Sequence, residues 1–289
     1  MNLPLLSRLA EANRPEQFGL LEHATETFTR SEAVTHLLVR GSLARGTADR
    51  LSDVDFIVGV MDSRFEEVVS VLDALITTDL GGILPGWRDT IVGNMGGLGF
   101  VYLIGWAGHL QQLDLYLAPA SCIRGVQAQT VCEPIFTRDS AGVYEPDPQT
   151  ESFVTNTMST TPSCEDLLIE ALVIGYLIRK RIMRGQEYIA YSEAFLFNTA
   201  AKNLIKAALA PQSRFYGWYQ LKEEVGTTPI GRECLKHLAA LISAPAIPTT
   251  ASLADGLDRV FTMANMVAPE AVDNLKEAID AYRYYLELP

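Results

Sequence analysis

No lysine precedes Lys180, and the charge of one sign is scarce throughout. Residues 1–150 carry nineteen acids against ten arginines, a balance of −9, and residues 151–289 add −3 to reach the net −12. A chain this acidic repels bare phosphate backbones, so a general nucleic-acid binder is excluded, while a cationic small molecule would be attracted. The four cysteines, Cys122, Cys132, Cys164 and Cys234, lack CxxC spacing and a histidine in ligand register, which excludes a zinc finger. They read as reduced, mostly buried thiols of a cytoplasmic protein. Apolar runs are short as well. The longest, 98–108 and 167–178, fall below the roughly 20 residues a bilayer requires. Glu11 precedes any apolar run, so no signal peptide and no membrane partner are expected. The four histidines are scattered and assemble no Ser/His/Asp or Cys/His set. Hydrophobic residues at 48% against 20% charged describe a globular chain.

The pattern changes near residue 150. Before it, a helix over about 15–31 leads to an apolar strand, Val34–Val39, and a second strand, Val54–Val60. Val68, Val71, Leu72 and Leu75 share a helical face within 64–77. Further strands are expected near Asp89–Asn94, Gly99–Ile104, Gln111–Leu117 and Pro134–Arg138, the last ending in a turn at Asp139–Gly142. Residues 143–164, with Pro146, Pro148 and Pro162 among Ser, Thr and Asp, read as a linker. Helices are then expected from Glu165 to Arg184 and near 192–209, 213–224, 230–242, 252–267 and 269–286. The expected fold is α+β: an N-terminal mixed sheet with flanking helices over 1–150, then an all-helical domain over 151–289.

Chemistry concentrates in residues 37–60. A strand ends at Gly41-Ser42, where a helix is expected to begin, and a spacer of ten residues leads to Asp53-Val54-Asp55 at the start of the next strand. In a strand, residues i and i+2 share a face, so the two carboxylates stand side by side while Val54 points into the core. Like charges so close repel unless a cation lies between them, and hard oxygen ligands suit Mg²⁺. Gly41 lets backbone approach a phosphate, and the Ser42 hydroxyl with nearby N–H groups can bind its oxygens. The bland alternative is an N-cap serine and a solvated Asp pair.

This stretch resembles the nucleotidyltransferase superfamily typified by DNA polymerase β, whose motif is Gly-Ser, a spacer of about ten residues and Asp-x-Asp. Within it, the Gly-Ser-x-x-x-Gly segment and the helical second half look like the aminoglycoside and lincosamide nucleotidyltransferases. The sharp match covers only the Gly-Ser to Asp-x-Asp segment; the layout covers most of the chain. The resemblance implies transfer of a nucleoside monophosphate, AMP from ATP, onto a hydroxyl of a small polar antibiotic, with Mg²⁺ held by Asp53 and Asp55. It also implies a third carboxylate on a neighbouring strand. Asp114, flanked by Leu113 and Leu115, fits that place as metal ligand, base or both, ahead of Asp89 beside Arg88. A toxin-like enzyme acting on a macromolecule, and a catalytically silent protein of the same fold, are the rival readings.

A triphosphate needs positive charge beyond its metal ions. Arg45 and Arg50 in the spacer are the nearest candidates, and Lys202 and Lys206, four residues apart, are expected either to reach the triphosphate or to lie on the surface. Arg179, Lys180, Arg181 and Arg184 read as dipole compensation on a solvated helix end. Phe215-Tyr-Gly-Trp-Tyr219 reads as core, or else as a stacking platform for a ring, and Glu165, Asp166 and Glu170 as helix-start acids. Glu187 and Glu193 stay open.

Overall fold

A computed structural model describes residues 15–89, 91, 95–138 and 144–287. The chain forms two compact units, Met1–Thr160 and Thr161–Pro289. The first is a six-stranded mixed sheet with flanking helices and the second is helical, so the α+β class read from the sequence is the observed one.

The first unit runs α1 (Gln17–Thr29), β1 (Val34–Arg40), a single turn α2 (Gly41–Ala44), β2 (Val54–Val60), α3 (Phe65–Leu80), β3 (Trp87–Arg88), β4 (Leu98–Trp106), β5 (His109–Pro119), α4 (Ile123–Gln129), β6 (Cys132–Thr137) and α5 (Pro148–Ser159). The sheet order is β3-β4-β5-β2-β1-β6. β2 and β5 lie at its centre and pair in parallel, while their outer neighbours pair antiparallel. The two-residue turn Ala107-Gly108 joins β4 to β5 with positive φ at both residues, matching the twist of a tight hairpin.

Strand alternation divides the side chains between two cores. Val54, Phe56, Val58 and Val60 of β2 and Leu113, Leu115 and Leu117 of β5 face the larger core, with Leu20 and Phe28 of α1 and Leu72 and Ile76 of α3. Ile57 of β2, Tyr116 of β5 and Leu38 of β1 face a smaller core closed by Ile123 and Val126 of α4. Asp55, Asp114 and Arg40 share the parity of this second face, two residues from Ile57, Tyr116 and Leu38 respectively.

Two expectations for this unit are corrected. The strand expected over Asp89–Asn94 is instead the short Trp87–Arg88, part of that stretch lying outside the described residues. The turn at Asp139–Gly142 lies outside them too. The supposed linker contains α5, and the boundary between the units falls after it. Its Ser/Thr-rich composition hides a helix that Asp147 caps by accepting from the N–H groups of Gln149 and Thr150, with Pro148 in the first turn. The Phe153 ring meets Phe65 edge-on at 6.3 Å, Thr150 Oγ1 donates to the Asp62 carbonyl at 2.7 Å, and Arg88 donates to the carbonyls of Thr157 and Thr160.

The second unit contains α6 (Cys164–Arg184), α7 (Glu187–Leu209), α8 (Leu221–Val225), α9 (Pro229–Ile242), α10 (Thr250–Val267), α11 (Pro269–Asn274) and α12 (Lys276–Leu286). A capping box between Ser163 and Asp166 starts α6, and Gly185 in the left-handed region ends it. Residues 213–224 are not one helix: a 3-10 segment, Pro211–Tyr216, and the short α8 replace it. The last expected helix breaks into α11 and α12. No helix among the described residues is long and apolar enough to cross a membrane.

Phe65 is wholly buried against α5 and the larger core. Phe65→Ala is expected to cost about 3–5 kcal/mol, read as a lower denaturation midpoint. A loss below about 1 kcal/mol would show that α5 does not depend on this contact.

Candidate active site

The register of the parallel pair sets the site. Asp55 of β2 is the direct partner of Asp114 of β5, so adjacent strands project both carboxylates from one face. Strands lie about 4.8 Å apart, close enough for like charges to oppose each other. Asp53 precedes β2 by one residue and Asp55 by two.

Two neighbours absent from the sequence reading hold these carboxylates. Arg40, the last residue of β1, brings Nε to 3.3 Å from Asp55 Oδ1, and both side chains are nearly enclosed at 13% and 16% exposure. Nε is buried yet makes no hydrogen bond, so charge attraction rather than a directed bond holds the pair. Gln112, buried and two residues before Asp114 on the same face, donates Nε2 to Asp114 Oδ1 at 2.6 Å. The arginine ending an apolar strand and the glutamine in Gln-Gln-Leu-Asp were the signals available for them.

Gly41 is fixed by the carboxylate above it. Its φ is +68°, and a Cβ there would lie 1.9 Å from Asp55 Oδ2, so no side chain fits. The expected helix after it is only the four-residue α2, too short to act as a helix terminus. Ser42 Oγ, on the residue after Gly41, is buried without a hydrogen-bond partner. The spacer is pinned rather than loose. Gln17 of α1, itself buried, donates to the carbonyls of Asp49 and Ser52, while Ser52 Oγ donates to Asp49 Oδ1. Arg45 and Arg50 are exposed on it. Among the described residues no group of three or more His, Cys, Asp and Glu side chains is placed to hold a metal ion. Asp89 sits at the start of the β3–β4 connection, accepting the Ile91 N–H.

Lys202 and Lys206 are buried within the helical unit, which corrects the expectation that they lie on the surface. Lys206 is fully buried and donates to the carbonyls of Ser213, Gly217 and Tyr219 while pairing with Glu224 at 3.1 Å. It ties together the irregular segment 211–219. Lys202 is buried over the Trp218 ring at 5.5 Å and donates to Asn203 Oδ1. Burial, and then the nearby Lys206 charge, lower its pKa against the opposing pull of Glu170. Lys180 is likewise buried, over Tyr176, and Arg181 pairs with Glu193 at 3.0 Å, so that basic cluster is not a solvated face. Phe215 and Tyr219 are 90% and 81% exposed and form no core.

No family model and no curated protein matches the chain. Among solved structures it overlaps a nucleotidyltransferase-like protein from Exiguobacterium sibiricum 255-15 at 11% identity and a TM-score of 0.23, over 93% of this chain and 80% of that one. An overlap this slight says nothing of activity. The residues must carry the functional reading.

Two glycines with nearly equal φ separate strain from contact. Gly46, at +67°, would place its Cβ in open space. Gly46→Ala is expected to cost about 1–2 kcal/mol, the left-handed penalty alone, and Gly41→Ala clearly more because Asp55 must move. Equal denaturation midpoints would contradict the close approach. Lys206→Met is expected to cost about 1–3 kcal/mol, since three carbonyls lose their donor, and to leave any triphosphate affinity unchanged.

Proposed function

We propose that the chain is a magnesium-dependent nucleotidyltransferase that moves a nucleoside monophosphate from a nucleoside triphosphate, ATP by the resemblance, to a hydroxyl of a small polar acceptor. The single observation that supports it most is the Asp55–Asp114 register pair, with Asp53 two residues away and the Gly41 backbone pressed against Asp55. Hard carboxylate oxygens and an unmatched serine hydroxyl fit Mg²⁺ and a phosphate better than a solvated acidic patch, which would leave no buried orphan.

In this reading Asp53 and Asp55 hold the metal, with Asp114 beside them. When bound, the ion neutralises charge on the phosphate oxygens. Ser42 Oγ donates to a phosphate oxygen, and Gly41, lacking Cβ, lets the triphosphate approach. Asp114 accepts the proton of the acceptor hydroxyl as its oxygen attacks the α-phosphorus and pyrophosphate leaves. Gln112 fixes the rotation of the Asp114 carboxylate through Oδ1. The acceptor class, an aminoglycoside or lincosamide, rests on the resemblance alone.

Pyrophosphate release from ATP with Mg²⁺ and an acceptor panel is the test. Asp53→Asn and Asp55→Asn are expected to abolish it. Asp114→Asn is expected to lower kcat about 10²–10⁴-fold, with a residual rate that climbs with pH as the acceptor ionises unaided. Near-wild-type turnover in Asp55→Asn would overturn the reading. Loss of nucleotide binding in Asp114→Asn as complete as in the other two would make Asp114 chiefly a metal ligand.

A further inference from the structure

Arg40 places a fixed positive charge where the proposed function puts a divalent cation. Its Nε lies 3.3 Å from Asp55 Oδ1 in nearly enclosed surroundings. The contact is an ion pair without a hydrogen bond from Nε, and that buried N–H is unmatched. Such a pair is cheap to exchange for a partner that supplies better-directed oxygen acceptors, as phosphate does for arginine.

We propose that Arg40 couples metal binding to nucleotide binding: paired with Asp55, it weakens divalent-cation uptake by the nucleotide-free protein, and its transfer to the triphosphate oxygens takes that charge away from Asp55. This rests on the nucleotidyltransferase reading and adds a control to the same site. The physical basis is charge count. Arg40 adds one positive charge beside the Asp53, Asp55 and Asp114 group that an incoming cation meets. A unit charge and a divalent ion roughly 6 Å apart repel by about tenfold in affinity even at the dielectric constant of water. Drawing Arg40 onto the nucleotide removes that repulsion, and linkage requires the metal to favour the nucleotide by the same factor. The device keeps the site from filling with metal before substrate is present.

The test is Mn²⁺ titration of the full chain, followed by electron paramagnetic resonance of the free ion, with and without α,β-methylene-ATP and without acceptor. Arg40→Gln is expected to bind Mn²⁺ alone about tenfold more tightly than the wild type. The enhancement by nucleotide is expected to shrink by a similar factor, and Arg40→Lys to restore weak uptake. Arg40→Met, which keeps the apolar stem, serves as a second neutral variant should Arg40→Gln not fold. Unchanged or weaker Mn²⁺ affinity in a folded neutral variant would overturn the role of Arg40 while leaving the metal site standing, provided Asp55→Asn still weakens uptake. If Asp55→Asn has no effect on Mn²⁺ uptake, the metal-site reading itself fails and the coupling with it.

Discussion

The first unit is organised around the parallel pairing of β2 with β5. Along most of their length the two strands bury Val, Ile, Leu and Phe on both faces, as central parallel strands do. At one end the same register sets Asp55 opposite Asp114 on the face that carries the smaller core. Directly opposed like charges destabilise a sheet. Arg40 and Gln112 offset that cost, one with charge and one with a hydrogen bond. The pinned spacer and the side-chain-free Gly41 then hold the carboxylates in place. The apolar majority of the pairing stabilises an end that would not form alone.

Much of the site was legible in the sequence because its signals are local. Gly41-Ser42, the spacer and Asp53-Val54-Asp55 lie within one strand-turn-strand, and period-two alternation assigns their faces without knowledge of the sheet. Asp114 could be singled out as a polar residue inside an apolar strand, but its register against Asp55 is a property of the β2–β5 pairing, which no local pattern specifies. Arg40 was missed for the same reason, since it acts across the sheet; Gln112 lies two residues from Asp114 on one strand face, a local signal that belongs to no motif. The helix α5 was hidden because Ser and Thr favour turns in isolation, and only its cap and the packing of Phe153 make it helical.

The helical unit shows where spacing misleads. Lys202 and Lys206 share a helix face as their separation requires, but that face is buried, and their ammonium groups satisfy carbonyls, Glu224 and the Trp218 ring. The first unit has no lysine, so its own positive charge is carried by arginine. Arg40 is the arginine held against Asp55, and the exposed Arg45 and Arg50 lie along the spacer.

The central claim is that Asp53 and Asp55 form a divalent-cation site beside a phosphate-binding Gly41-Ser42 turn. A crystal structure with Mn²⁺ and α,β-methylene-ATP tests it most directly, because manganese is located by its anomalous scattering. The account predicts a manganese peak about 2.2 Å from carboxylate oxygens of both Asp53 and Asp55, octahedral and shared with phosphate oxygens. Ser42 Oγ is then within hydrogen-bond distance of the triphosphate. A nucleotide bound elsewhere, or no peak between these two aspartates at saturating Mn²⁺, would contradict it.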